Sequence, residues 1–221
     1  MSQPLSLAAQ SLLNGLDGTA YVVDSERCFV AIGAPNWRKF AESNDGAALA
    51  DERELLGRPL MDFIRGHEVR ANWLAALDRL DKGAVASVVM PYRCDSPSVH
   101  RDMRMAVTAF DDAGRRYFLF HSVTLAERMR PPISVFDVRG RPAGSADGPL
   151  PLVAMCSFCH SLRPGEQGEE WVSPEAYYVG GGTSLVDITH SVCPDCHGEW
   201  FRSLGLPVTG PADPAPPPPA G

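Results

Sequence analysis

The sequence predicts an α+β protein: a five-stranded antiparallel sheet with helices on one face, followed by a small module built on four cysteines. Three observations carry this expectation. Two strand-like runs precede several short helix-like segments and one longer helix, and three more strand-like runs follow. In the later strands apolar residues alternate, with Met103, Met105, Val107 and Ala109 on one side. Beyond them, the pairs Cys156-Ser-Phe-Cys159 and Cys193-Pro-Asp-Cys196 flank an insert of 33 residues.

Size and composition fit that outline. The chain has 221 residues, enough for one ordinary domain and a small satellite. Its 44% apolar and 21% charged content is that of a globular protein in water, and no apolar run approaches the roughly 20 residues that span a membrane. A net charge of −7 gives no global pull toward nucleic acid. Residues 1–14 lack a cationic start and a long apolar core, so no export signal is read and a reducing, cytoplasmic setting is expected. There, clustered cysteines mean metal or redox chemistry more often than disulfides. Cys28 and Cys94 stand alone and read as small buried side chains.

Residues 5–16 place Leu5, Ala8, Ala9, Leu12, Leu13 and Leu16 near helical spacing, so a short amphipathic helix is expected in an N-terminal segment 1–19. Asn14-Gly15 and Asp17-Gly18 break it. Such a helix cannot bury its stripe alone and should pack on the following domain or on a second copy of the chain.

The domain expected at 20–130 begins with strands at 20–24 and 29–33, joined by Ser25-Glu26-Arg27. Pro35 suits the start of a helix through Trp37, Phe40 and Ala41, which Asn44-Asp45-Gly46 stops. A short helix is expected over 47–54. Gly57-Arg58-Pro59 opens a turn with Leu60, Phe63 and Ile64 as its apolar face. The longest helix, 67–80, carries Val69, Trp73, Leu74, Leu77 and Leu80, and Asp81-Lys82-Gly83 ends it. Strands follow over 84–93, 101–110 and 116–124, the last two joined by Asp111-Asp112-Ala113-Gly114. Phe118 and Phe120 face one way, Tyr117 and Leu119 the other. Apolar residues on both sides predict a sheet covered on both faces: one by helices, the other by the N-terminal helix or a dimer partner.

Arg130-Pro131-Pro132 closes this domain. Residues 131–150 read as a linker, with 133–138 as a candidate extra strand. The cysteine module covers 151–206. The Pro- and Ala-rich tail, 207–221, should be disordered or extended, and a proline-docking partner is the one role open to it.

Each Cys-x-x-Cys pair suits a tight turn with both sulfurs on one side. Two such turns brought together offer four thiolates around one point, the soft tetrahedral donor set of Zn²⁺. Cys156, Cys159, Cys193 and Cys196 are therefore read as ligands of a structural zinc, with His190 as an alternative ligand or a hydrogen-bonding neighbour. The insert exceeds the usual zinc-ribbon gap of about 15–20 residues, so an elaborated loop or a helix is expected between the knuckles. Two other chemistries fit the same residues. A dithiol pair can cycle with a disulfide. His160 and His197 also make both pairs read Cys-x-x-Cys-His, the pattern of covalent haem attachment.

Tyr21-Val-Val-Asp24, Gly57-Arg-Pro-Leu-Met-Asp-Phe-Ile64 and Gly83 stand in an order and spacing that resembles the PAS sensor family over about residues 12–128. Pro91-Tyr-Arg-Cys-Asp-Ser-Pro97 and Arg101-Asp-Met-Arg-Met105 are similar to a pattern in bacterial members of that family. Cys156-Ser157, Cys159, Arg163, Trp171, Tyr178, His190, Cys193-Pro194 and Cys196 resemble a segment carried by bacterial signalling proteins with PAS domains, often histidine kinases or response regulators. His160 stands where that segment commonly has Lys, and Gly180-Gly181-Gly182 makes its centre more flexible.

The resemblance implies a sensor core that can hold a small molecule between sheet and long helix, with Trp73, Leu77, Met103, Met105 and Phe120 as candidate lining, or as plain core. It also implies that His67, at the start of that helix, occupies the region where haem-binding PAS domains place a ligand. No phosphate-binding loop or nucleophile elbow occurs, and the chain has no room for a kinase ATP-binding domain or a phosphorylatable receiver. Residues 155–206 carry two arginines against seven carboxylates, a net of −5, which opposes a phosphate-binding zinc finger. Arg58, Arg65, Arg70, Arg93, Arg101 and Arg104 make the front part more basic, as a solvated surface. The expectation is a cytoplasmic, non-catalytic signalling protein that works through a protein partner or a homodimer, without nucleic acid or membrane. The alternative is a redox or haem-binding protein.

Overall fold

The computed structural model describes residues 8–44, 46–136, 150–165 and 170–207. Of the helix expected over 5–16, α1 (Ala9–Asn14) is formed, and residues 1–7 lie outside the described residues. Leu13 is its buried residue. The Gln10 amide donates to the Ile32 carbonyl (2.8 Å), which holds α1 against the end of the first hairpin.

That hairpin pairs β1 (Thr19–Asp24) with β2 (Phe29–Ile32). The Asp24 carboxylate accepts the N–H groups of Glu26 (3.0 Å) and Cys28 (2.9 Å), and Arg27 takes a left-handed conformation, φ 69°. Helix α2 (Ala34–Ser43) follows with Pro35 in its first turn. The helix expected over 47–54 is two 3₁₀ turns, Ala47–Leu49 and Glu52–Glu54. Asp51 separates them, because its carboxylate accepts the Arg53 N–H (3.0 Å) and starts a new turn. A further 3₁₀ turn, Leu60–Phe63, leads to α3 (His67–Asp81).

The sheet is completed by β3 (Ser87–Arg93), β4 (Val99–Asp112) and β5 (Arg115–Met129). Its order is β2-β1-β5-β4-β3, antiparallel throughout. Ala113 (φ 48°) and Gly114 (φ 73°) form a two-residue turn whose twist matches the strands it joins. The β4–β5 ribbon runs past the ends expected from apolar alternation. Its polar end is held by cross-strand ion pairs, Arg101–Glu127 (2.5 Å) and Arg128–Asp102 (3.1 Å).

Helices cover one face of the sheet. There Val23, Val88, Met90, Val107, Phe118 and Phe120 are at most 1% exposed, and α3 lays Val69, Trp73, Ala76, Leu77 and Leu80 on them. On the other face α1, in its described part, does not supply the expected cover. Among the described residues Val89, Phe110 and Leu125 on that side stay exposed, and α1 sits at the β1–β2 end. Alternation alone does not separate a covered face from one of small, amphipathic side chains.

The cysteine segment forms a second sheet of β6 (Leu152–Cys156), β7 (Leu162–Pro164) and β8 (Asp187–Ser191), in the order β7-β6-β8. β6 pairs antiparallel with β7 and parallel with β8. The insert also holds α4 (Pro174–Val179), whose first turn is capped by Ser173 accepting the Ala176 N–H (3.0 Å). Helix α5 (Pro194–Ser203) closes the segment. The candidate strand at 133–138 is instead a 3₁₀ turn, Ser134–Phe136, in its described part, because Ile133 and Val135 turn inward against Val153, Met155 and Leu162. The rest of the expected linker at 137–149 and the tail at 208–221 lie outside the described residues.

One apolar cluster runs from the large sheet through α3 into Cys156, Phe158, Val192, Cys193, Cys196, Trp200 and Leu204. Polar ties cross the same seam. Phe158 O accepts the Arg93 N–H at the free edge of β3 (2.6 Å), Leu204 O accepts from Arg79 Nε (2.8 Å), and Ser191 Oγ donates to Glu68 (2.7 Å). A buried large apolar side chain contributes roughly 1.5–3 kcal/mol, against about 0.5–1.5 kcal/mol for one such hydrogen bond, so the apolar seam dominates the docking.

Candidate metal centre

The two knuckles are built differently. In the first, Cys156 ends β6 and its carbonyl accepts the His160 N–H (3.0 Å), closing a turn that buries Phe158. His160 completes that turn in a left-handed conformation, φ 61°. In the second, Cys193 is the N-cap of α5 and Cys196 lies in its first turn. Parallel pairing of β6 with β8 sets Cys156 opposite Ser191, which brings the knuckles together.

All four sulfurs lie within 4.8 Å of one another, and Cys159 Sγ is 3.6 Å from Cys193 Sγ. A tetrahedral ion with Zn–S bonds of about 2.3 Å sets its sulfurs roughly 3.8 Å apart, so the donor set fits Zn²⁺ or a similar thiophilic ion. All four are free thiols.

The surroundings favour negative charge on sulfur. The N-terminus of α5 points its dipole at Cys193 and Cys196. The Cys193 N–H donates to Cys156 Sγ (3.4 Å), and Cys159 Sγ lies 3.1 Å from Ser161 Oγ. The four thiols titrate as a set. At Cys156 the bond with Cys159 acts upward, but those with Cys193 and Cys196 prevail and bring it down to about 7. Cys159 is lowered by its bonds with Cys156 and Cys193, while the bonds with Cys156 and Cys159 push Cys193 and Cys196 up. A divalent ion replaces the protons that such a set must share.

The remaining sequence candidates lie elsewhere. Cys28 and Cys94 are half-buried and outside the cluster. His190 sits in β8 opposite Met155 and is not one of the clustered ligands. His197 stacks on Phe201 with ring centroids 4.3 Å apart. His67 is exposed at the start of α3.

An ion cluster braces the first knuckle. The Asp95 carboxylate, fully buried, pairs with Arg93 and with Arg130 (3.1 Å), accepts the Arg101 N–H (3.0 Å), and lies 3.7 Å from the His160 ring. Arg130 also meets Glu175 of α4 (2.8 Å), and Arg93 donates to the Cys159 carbonyl (3.3 Å). Burial pushes the Asp95 carboxyl up, but the His160 ring, the Arg101 N–H and the Arg93 guanidinium outweigh it. They hold Asp95 well below the usual carboxylate range.

Between knuckle and sheet lies a cavity of about 300 Å³. Trp73 and Met105 line it, together with Phe158 and His190 from the cysteine segment. A second chamber of about 200 Å³ shares Phe63, Ile64, Trp73 and Met105 with the first and adds Phe120. Leu77 and Met103 are sealed, at 0% and 1% exposure, on the wall of neither chamber. The contribution of Phe158 and Trp200 to this region escaped sequence reasoning. A signal was present: Phe158 stands between two ligands, where an exposed knuckle has no use for an aromatic ring.

No protein-family model matches the chain, and no curated protein matches it. Solved structures similar to it include a PAS domain from a two-component sensor histidine kinase, at 15% identity over 52% of this chain and 92% of that one, with a TM-score of 0.34. A C-terminal domain from Streptococcus mutans is similar at 16% identity over 56% of this chain and 91% of that one, TM-score 0.40. The PAS domain of an HTR-like protein from Haloarcula marismortui is similar at 14% identity over 52% and 88%, TM-score 0.35.

Proposed function

We propose that this chain is a non-catalytic signal-transduction protein: a PAS-like sensor domain coupled to a structural Cys₄ zinc module, acting through protein–protein contacts. The observation that carries this reading is the convergence of Cys156, Cys159, Cys193 and Cys196 within 4.8 Å, on a segment that shares one apolar core with α3 and β3. Zinc bound there would supply folding free energy to a segment too small to order itself. The Cys193 N–H, the α5 N-terminus and the Arg93–Asp95–Arg130 cluster hold the ligands in place.

Signal transfer in this reading is a shift in packing. A small molecule beside α3 changes how α3, the knuckles and the sheet fit, and that change alters contacts with a protein partner or a second copy. In this reading the setting is cytoplasmic, as the clustered cysteines suggest, and bacterial, as the family resemblance implies. Among the described residues no helix is long and apolar enough to cross a membrane.

Metal analysis and an absorption spectrum of the purified full chain test the proposal. About one zinc per chain, a colourless protein and metal release on thiol modification are expected. Metal-free protein with paired cysteines would favour thiol–disulfide cycling instead. A haem spectrum would favour attachment at the Cys-x-x-Cys-His runs. Native mass spectrometry reads the oligomeric state and any retained ligand.

A further inference from the structure

The cavity between α3, β3 and the cysteine segment has walls of two chemical kinds. Its interior is apolar and aromatic, with Trp73, Met105 and Phe158 as the main surfaces. Its polar lining is Arg65, Tyr92, Ser157, His160 and His190, all able to donate hydrogen bonds, and Arg65 among them can only donate. No aspartate or glutamate is among the described residues that line it. An acceptor-rich ligand suits such a lining, and the guanidinium favours one that carries negative charge.

The charges also orient that ligand. Arg65 is exposed, so the cationic end lies at the solvent rim. His190, which also lines the cavity, packs against Gly66, the residue after Arg65: a Cβ there would lie 2.6 Å from the His190 carbonyl oxygen and 3.1 Å from its Cβ. Phe158, 4% exposed, marks the inner end and stands between two of the clustered cysteines. Trp73, Met105 and Phe158 give an anion no charge partner inside the cavity, so an anionic head belongs at the rim with Arg65. The neighbouring ion cluster does not compete for it, since Arg93 and Arg130 are matched by Asp95 and Glu175. At about 300 Å³ the space is at the lower end of ligand pockets, which sets the size to a single ring or a short chain.

We infer that this cavity binds a small monocarboxylate with an aromatic or short alkyl body, its carboxylate on Arg65 beside His190 and its body against Trp73 and Phe158. The inference rests on the sensor reading above and adds the chemical class of the ligand. It also makes the cysteine segment one wall of the site, so that ligand and metal act on the same piece of chain.

The test uses the full chain, with metal content measured on the same sample. Phenylacetate and hexanoate are titrated beside the neutral phenylacetamide and hexan-1-ol, by calorimetry and tryptophan fluorescence. Saturable binding of the acids, at least about tenfold tighter than of their neutral partners, is expected. Arg65→Ala should erase that preference without changing metal content, and Arg65→Lys should restore most of it. Equal binding of acid and neutral analogue, or no saturable binding by a metal-loaded chain, overturns the inference and leaves the zinc reading standing. Acid-selective binding by a metal-free chain supports the inference and overturns the zinc reading.

Discussion

Trp73 of α3 and Trp200 of α5 meet edge to face, with ring centroids 4.7 Å apart and planes at 75°. Phe120 of the sheet flanks Trp73 at 5.7 Å, and Phe158 of the first knuckle flanks Trp200 at 5.3 Å. Four aromatic rings thus form a continuous path from the large sheet to the cysteines. Trp200 is fully buried, and its indole N–H has no hydrogen-bond partner among the described residues. Trp200→Ala should therefore cost about 3–5 kcal/mol of folding stability. Trp200→Phe should cost far less, since it removes no hydrogen bond. Urea unfolding of the two variants against the parent chain checks the contrast.

Metal removal should destabilise more than the cysteine segment. Cys156, Cys193 and Cys196 belong to the same apolar cluster as Val88, Met90 and Trp73. Cys159→Ser, Cys196→Ser or excess chelator should lower the midpoint of the entire thermal transition. A chelated protein whose sheet melts at an unchanged Tm would show that the two parts unfold independently.

Asp95 makes the fold sensitive to acid. Its folded pKa lies below the unfolded value of about 3.9, so its contribution is complete above that value and is lost as pH falls toward the folded pKa. Asp95→Asn should flatten the stability profile below about pH 4. At neutral pH it should cost about 3 kcal/mol or more, because Arg93 and Arg130, at 14% and 9% side-chain exposure, keep too little counter-charge. Denaturant midpoints from pH 7 down to pH 3 measure both effects.

Gly66 and Gly57 form a matched pair. Both have positive φ, 84° and 78°, but a Cβ at Gly57 meets nothing within 4 Å, whereas one at Gly66 meets backbone. Gly57→Ala should cost about 1 kcal/mol for its conformation alone. Gly66→Ala adds the collision with His190 and should cost about 2–3 kcal/mol. Equal losses at the two sites would mean that the seam adjusts freely.

The sheet, α3 and the cysteine cluster were legible because their signals are local. Periodicity marks Val69, Trp73 and Leu77, and the Cys-x-x-Cys spacing marks the ligands. What escaped depends on distant parts of the chain meeting. Phe158, Trp200 and Glu68 carry no pattern that names their partners across more than forty intervening positions. On the face of Val89 and Phe110, alternation reports a strand, not what lies over it. The pattern over 47–54 predicts a helix, whereas the Asp51 carboxylate, bonded to the Arg53 N–H and guanidinium, divides it into two 3₁₀ turns.

The bond from the Arg93 N–H to the Phe158 carbonyl has a further consequence. β3 is an outermost strand of its sheet, and such a rim is a template onto which a foreign strand can add. In the folded chain the first knuckle plugs one rung of that template. If the four cysteines hold a metal ion, its loss would unplug that rim, and self-association would be the first symptom.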